Sequence, residues 1–349
     1  MLKLLHAADL HLDSPFAAFS YEEAARMRGL QRQIPQMLVD LCREKRCGIL
    51  LLAGDVFDSQ TVYPETLEAL RDAFGQWEGE VFIAPGNHDP ATETSVWLKE
   101  NWPENVRIFK GNWTSVTLEQ QNCRIWGAGF RGVDAYDLLQ PIAPKDGLWE
   151  VGVLHGDTEN DSTYNPISRE SLQNCGLHYL ALGHIHKASA LQKAGKTCYG
   201  WPGCAMGRGF DECGQKGVWY VELDEQGCRQ EYLPLPLPKF EILKVDAENL
   251  TIPAEVEGSI CSMILTGEAD GVDREAIRET LADRFLHLEV RDATTPKRDI
   301  WADCGSSTLR GIALSHLKQQ YDKAEEGEKS VILQGARALL AALEGREQP

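Results

Sequence analysis

Ile49-Leu50-Leu51-Leu52-Ala53-Gly54-Asp55-Val56-Phe57-Asp58 runs five apolar residues into a glycine and then presents two carboxylates. A short, nearly continuous apolar run that stops at a turn residue reads as a strand covered on both faces. The glycine lets the chain turn tightly where the strand ends. The same grammar recurs on either side. Leu2–Ala8 leads into Asp9-Leu10-His11, and Val81–Ala84 leads through Pro85 into Gly86-Asn87-His88-Asp89. Val151–Leu154 leads into His155-Gly156-Asp157, and Tyr179–Leu182 into Gly183-His184-Ile185-His186, while Arg124–Ala128 is a further strand. Between them, Glu22–Arg46 (broken or kinked at Pro35) and Glu65–Trp77 carry helical patterns. Buried strands alternating with helices predict an α/β fold, with ligands gathered outside the carboxyl ends of the strands.

The residues at those strand ends share one chemistry. Asp9, His11, Asp55, Asn87, His155, His184 and His186 offer the hard oxygens and borderline nitrogens that two divalent cations take. Asp9 and His11, two apart, are expected to point the same way off an extended backbone and reach one ion. Asp55 suits a carboxylate that bridges both ions. Asn87 supplies a neutral amide oxygen and leaves His88 free for a different task. Each motif alone occurs by chance and would then be structural. Five of them, in this order and each at a strand end, point to one convergent site. Two metals a few ångströms apart are a standard device for cutting a phosphate ester. The other histidines, His6, His178, His287 and His316, are expected on the surface or in packing.

Composition narrows the setting. Hydrophobic residues make up 43% and charged residues 25% of the 349, ordinary values for a folded chain with a core of normal size. The net charge of −18, from 35 basic and 53 acidic residues, opposes capture of nucleic acid by overall attraction. Lys187, Lys193, Lys196, Arg208 and Lys216 form a locally basic stretch, read equally as phosphate-facing or as solvated surface. None of the ten cysteines forms a Cys-x-x-Cys pair, so reduced, mostly buried thiols are expected. The opening residues lack the long apolar stretch of a signal peptide and no run is long enough to span a membrane, so a cytoplasmic location is expected.

Beyond the last motif the pattern changes. Lys196–Tyr199, Gly217–Leu223 and Arg229–Leu235 read as hairpin-like strands, expected to form a second sheet packed on the first. Pro234, Pro236 and Pro238 mark a boundary. Phe240–Val245, Ser262–Gly267 and Leu286–Arg291 then read as strands around an amphipathic helix at Asp273–Phe285, and Ser306 to Glu344 as mostly helical.

With these motifs assembled, residues about 1–235 resemble the calcineurin-like metallophosphoesterases, and within them the SbcD-type exonucleases of DNA double-strand-break repair. Asp9-Leu-His11-Leu-Asp-Ser-Pro-Phe, Tyr179-Leu-Ala-Leu-Gly183-His184-Ile-His186-Lys187, and Gly207-Arg208-Gly209-Phe210 before Lys216-Gly217-Val218 carry that finer likeness. The resemblance implies a four-layer αββα sandwich over 1–237, a small α/β cap over 238–300 and a C-terminal helical segment over 301–349. It implies that Asp9, His11, Asp55 and His186 hold one ion, and Asp55, Asn87, His155 and His184 the other. Manganese is the implied metal, with iron or zinc compatible with the same ligands. The ions would activate a water whose hydroxide attacks phosphorus in line, while His88 steadies the phosphate or protonates the leaving group. Asp58 and Asp89 are implied supporting carboxylates, with Asp58 either orienting His88 or standing as a surface-exposed loop acid, and Asp157 has the same two readings. Arg208 is read as a phosphate contact or an ordinary ion pair. The implied partners are DNA ends or duplex, an SMC-like ATPase of the SbcC type docked on the C-terminal helices, and a second copy in a homodimer. Two rivals are a small-molecule phosphodiesterase or phosphatase, and a scaffolding subunit with a vestigial metal site.

Overall fold

The structure is a computed structural model that describes residues 1–158, 162–297 and 299–343, without the side chain of Glu326. The last six residues of the expected helical segment, 344–349, lie outside the described residues. In chain order the elements are β1 (Leu2–Ala7), α1 (Tyr21–Gln31), α2 (Ile34–Lys45), β2 (Ile49–Leu52), α3 (Pro64–Gly75), β3 (Glu80–Ile83), α4 (Val96–Lys99) and β4 (Val106–Ile108). There follow β5 (Thr114–Leu118), β6 (Cys123–Gly127), β7 (Trp149–His155), α5 (Arg169–Asn174), β8 (Tyr179–Gly183), β9 (Gln192–Ala194) and β10 (Thr197–Gly200). The chain continues through β11 (Gly217–Asp224), β12 (Gly227–Pro234), β13 (Phe240–Asp246), β14 (Ile260–Thr266), α6 (Arg274–Leu281), β15 (His287–Asp292), α7 (Leu309–Lys323) and α8 (Glu326–Leu343).

The expected helix over Glu22–Arg46 is two helices. α1 begins with a capping box in which Ser20 and Glu23 satisfy each other's backbone N–H groups. The break falls at Arg32–Gln33, ahead of Pro35, because proline is tolerated in a first helical turn, where its missing N–H has no partner to lose.

Two six-stranded sheets build the body, in the orders β12-β11-β1-β2-β3-β4 and β5-β6-β7-β8-β10-β9. Successive side chains on a strand face opposite ways, so each strand feeds two cores. Leu5, Ala7, Leu50, Leu52, Val81 and Ile83 pack with Ile34, Leu38, Leu67, Leu70 and Phe74 of α2 and α3. Leu4, Leu51 and Phe82 on the opposite face pack with Ile125, Val151, Val153, Tyr179 and Ala181 of the second sheet. Leu154, Leu180 and Leu182 on that sheet's outer face pack with Leu172 of α5. The result is a four-layer αββα sandwich. Each fully buried Leu or Val contributes about 1.5–3 kcal/mol, which is why both faces of these strands are apolar.

The membership of the sheets differs from expectation. β11 and β12 do not build the second sheet; they add antiparallel to β1, pairing Leu4 with Val221 and Leu5 with Tyr220. The second sheet is instead founded on β6, β7 and β8, parallel to one another and joined by β10. Apolar runs look alike in either sheet, and strand β1 kept one edge open that only a long-range partner could fill.

β13, β14 and β15 form a three-stranded sheet in that order. The chain divides into two compact units: Met1–Leu243 with Ala254–Ser262 and Leu281–Glu289, and Lys244–Pro253 with Met263–Thr280 and Val290–Pro349. In the second unit Ile300, Leu314, Ala336 and Leu340 make a small core of their own. All ten cysteines are free thiols, seven of them buried. Among the described residues no helix is long and apolar enough to cross a membrane.

Candidate metal centre

The five motifs come together at the strand ends within the first unit. At four of the ligands the backbone is not extended. Asp9, His11 and Asp55 take φ values of 50°, 44° and 49°, and His184 takes 101°. Non-glycine residues rarely occupy that region, and held there by surrounding structure they mark functional sites. Asp9 and His11 therefore converge through a tight turn, not through the alternation of a strand. The turn is pinned to the second loop, where Asp9 N–H donates to the Gly54 carbonyl (3.1 Å) and His11 N–H to that of Asp55 (3.0 Å). Gly54 is required twice over, by its φ of 87° and because a Cβ there would lie 2.3 Å from His155 Nδ1.

Two clusters of ligand atoms, each within 4.8 Å, share Asp9: Asp9 with His11 and His186, and Asp9 with Asp55 and His155. Asn87 joins the second cluster, its Oδ1 2.9 Å from His155 Nε2. His184 stands outside both sets; its Nε2 faces Asp157 at 3.4 Å and its ring lies 5.2 Å from that of His155. Its backbone N–H donates to both oxygens of Asp9, at 3.0 and 3.1 Å. His184 is thus tied to Asp9 through its main chain, with Asp157 beside its ring.

The donor set fits divalent cations on its own chemistry. His155 Nδ1 donates to the Ala53 carbonyl at 2.9 Å, which turns its Nε2 toward the site. That nitrogen meets Asn87 Oδ1 and Asp55 Oδ2, the latter at 3.3 Å, so two acceptor oxygens face one ring nitrogen. In the other cluster His11 Nε2 and His186 Nε2 face each other at 3.2 Å. Such groupings call for a proton on one of the facing nitrogens or a metal ion between the groups.

The protonation of the centre follows from burial and charge. Burial works against the charge on Asp55, yet His155, His11 and His88 outweigh it and hold this carboxyl well below the usual range. Burial also works against His155, and Asp55 reverses it, raising the imidazole to about 9. His11 and His184 go down, each chiefly because burial disfavours the imidazolium. Partial burial works against the charge on His186, and Glu212 outweighs it and carries the imidazole up.

The supporting residues sort differently from expectation. Asp89 is fully buried and ties two ligand loops together. It accepts from Gly86 N–H (2.8 Å) with one oxygen and from Val56 (2.8 Å) and Phe57 (3.2 Å) with the other. Burial and the Asp55 charge push its carboxyl up to about 8 against those amides. His88 is exposed, and its backbone N–H donates to Asp55 Oδ1 at 2.9 Å. The Asp58 carboxylate does not orient His88. His88 Nδ1 sits 2.9 Å from the Asp58 main-chain carbonyl, while the Asp58 side chain faces His11 and Arg208. The tight loop brings the carbonyl to His88 first, and Arg208 claims the carboxylate. Arg208 itself is spent on ion pairs, with Asp58 at 3.0 Å and Glu212 at 2.9 Å.

Glu212 is the residue that sequence reasoning passed over. It is buried, with its Oε1 2.6 Å from His186 Nδ1, and its two cationic neighbours hold its carboxyl far below the usual range despite burial. The only sequence signal was an acid four residues after Arg208, beside Asp211, in a stretch that carries five basic residues.

Known proteins place these observations. The calcineurin-like phosphoesterase pattern matches residues 2–188. The uncharacterized metallophosphoesterase YhaO of Bacillus subtilis is 28% identical over 341 residues, spanning 86% of this chain and 80% of its own. Among solved structures, a dimetal phosphatase from Danio rerio aligns over 66% of this chain and 95% of its own, with TM-score 0.43 and 9% identity. A Vps29 single mutant from Entamoeba histolytica aligns over 67% and 99%, with TM-score 0.32 and 15% identity. With the family pattern spanning more than half of its length and the ligand series seated at the strand ends, the chain belongs to the calcineurin-like phosphoesterase family.

Proposed function

We propose that this chain cleaves phosphodiester bonds of DNA at the metal centre, as an exonuclease with an endonuclease activity at the same site. Family membership makes it a metal-dependent phosphoester hydrolase, and the family binds two divalent metals. Asp9, His11, Asp55 and His186 would hold one ion and Asp55, Asn87, His155 and His184 the other, with manganese the proposed metal. Bound there, the ions supply Lewis acidity toward the phosphate and a water acidified toward neutrality. The chain's own groups do the remainder. Asp89 fixes the two ligand loops, and the buried walls exclude bulk water from Asp55 and His155. His88, held through Nδ1–H, leaves Nε2 free, and as the imidazolium it would steady the phosphate or deliver its Nε2 proton to the departing oxygen.

The observation that carries the choice of a polyanionic substrate is a cleft of about 280 Å³ that begins at His186 and includes Lys187, Lys216 and Tyr232. Two ammonium groups there suit phosphates flanking the one being cut. The finer motif likeness to repair exonucleases supports the same reading. In it, α7 and α8, with Leu309, Ile312 and Val331 exposed, are the segment that would dock an SMC-like ATPase. The net charge of −18 favours a second reading, a phosphodiesterase for a small molecule.

End-labelled linear duplex DNA and a chromogenic phosphodiester, each incubated with manganese and the protein or its Asp55→Ala variant, separate the two. DNA shortening that disappears in the variant supports the nuclease. Cleavage of the small ester alone refutes it in favour of the second reading.

A further inference from the structure

His11 and His186 come from loops 175 positions apart, yet their Nε2 atoms face each other at 3.2 Å. At that distance either a proton on one nitrogen bridges the rings or both lone pairs face a cation, and the groups behind each ring set which. Behind His11, Nδ1 lies 3.2 Å from Asp58 Oδ1, off the in-line direction of an N–H bond but within ion-pair range. Behind His186, Nδ1 lies 2.6 Å from Glu212 Oε1. Arg208 joins the two carboxylates. Its Nη1 donates to Asp58 Oδ1 at 3.0 Å, its Nη2 to Glu212 Oε1 at 2.9 Å, and its Nε to Glu212 Oε2 at 3.3 Å. The Arg208 backbone N–H also donates to Glu212 Oε2, at 2.9 Å, and Ser14 Oγ donates to Asp58 Oδ1 at 3.1 Å. The circuit His11–Asp58–Arg208–Glu212–His186 is closed.

We propose that Arg208 and Glu212, acting with Asp58, are a positioning clamp that aims the Nε2 atoms of His11 and His186 at one divalent cation. Glu212 takes the Nδ1–H of His186, which fixes that tautomer and leaves Nε2 as the metal-facing lone pair, while Asp58 stands 3.2 Å behind His11 Nδ1 as a charged backstop. A carboxylate alone would leave each ring free to swing about its own side chain. The planar guanidinium removes that freedom, because its fork holds both carboxylates in one plane at fixed separation. Lysine cannot substitute, since one ammonium lacks the two-sided fork. None of the three residues needs to touch substrate, and Arg208 is occupied by the carboxylates it joins.

The clamp rests on the metal-centre reading above but not on the choice of DNA as substrate, so the test reads metal binding. Chelator-stripped protein is titrated with Co²⁺ by calorimetry, with the visible absorption of the bound ion reporting its coordination. The parent binds two equivalents. Glu212→Ala weakens one of them by about 10–100-fold, the usual loss when a histidine ligand loses its supporting carboxylate, and alters the absorption. Glu212→Gln, which keeps an acceptor for His186 Nδ1–H, recovers most of the affinity. Arg208→Ala weakens the same equivalent, and the double alanine variant binds no more weakly than the weaker single one, because both act through one network.

Parental affinity and spectrum in both alanine variants overturn the clamp. So does an additive double variant in which glutamine is no better than alanine, since that pattern belongs to general charge or stability. If the alanine variants fail to fold by circular dichroism, Arg208→Lys carries the test: weakened binding supports the clamp and parental binding refutes it. A folded parent that takes up no cobalt brings down the metal-centre reading itself, and the clamp with it.

Discussion

Gly183→Ala tests how the two sheets meet beneath the metal centre. Gly183 ends β8 in the second sheet. A Cβ built on it would lie 1.9 Å from the Ala53 carbonyl oxygen, 2.9 Å from the Ala53 carbonyl carbon and 3.0 Å from Ala8 Cβ. Nonbonded carbons need about 3.5 Å, so the strand ends would have to part by roughly 1.5 Å. The obstructing atoms are backbone or short, and none can rotate aside. Overpacking a buried site costs about 1–3 kcal/mol, and this rigidity places the loss near 3 kcal/mol. The displacement falls on Ala8, Ala53 and Gly183, the chain neighbours of Asp9, Gly54 and His184. The bonds from His184 N–H to Asp9 would lengthen, and metal affinity would fall by about tenfold or more. Urea unfolding in chelator reads the stability and cobalt titration the affinity. Gly132→Ala is the control, because nothing lies within 4 Å of its Cβ and a change within about 0.5 kcal/mol is expected. A Gly183→Ala protein as stable as that control, with parental affinity, would refute the reasoning.

Three further outcomes are expected. His88→Ala keeps both metal equivalents but loses about 10²–10⁴-fold in turnover, as for a lost general acid; undiminished cleavage at saturating metal rules out that role. His6 is fully buried between the Tyr179 hydroxyl (2.8 Å) and the Leu182 carbonyl (3.1 Å), and burial lowers its pKa from 6.5 to about 3. The unfolded chain therefore takes up this proton first, so stability is full above pH 6.5 and erodes as pH falls toward 3. The contribution is about 1.4 kcal/mol per pH unit, and a His6→Asn variant with the same pH slope as the parent would contradict it. Gly29→Ala, inside α1 with open space at its Cβ, raises stability by about 0.5–1 kcal/mol; a lower urea midpoint would show that the helix needs the glycine.

Much of the site was legible because its ligands are local in sequence. Each motif follows a strand by at most a few residues, and apolar runs such as Ile49–Leu52 and Tyr179–Gly183 announce those strands without any tertiary knowledge. The left-handed backbone at Asp9, His11 and Asp55 was not legible. Nothing in Asp-Leu-His says that the loop turns before it extends; the bonds to the Gly54 and Asp55 carbonyls impose it. Asp58 shows the same limit. The family resemblance suggested it as a partner for His88, and the folded loop offered the main-chain carbonyl in its place.

By itself the sequence determined the alternation of strand and helix, the order of the seven ligand residues and their delivery at strand ends, because periodicity and turn chemistry act over a few residues. Tertiary structure alone decided that β11 and β12 complete the first sheet, that Arg208 faces carboxylates, and that Glu212 stands behind His186. Those are pairings between distant segments. They are chosen by which edge is open and which charge is buried nearby, and neither quantity exists until the chain has folded.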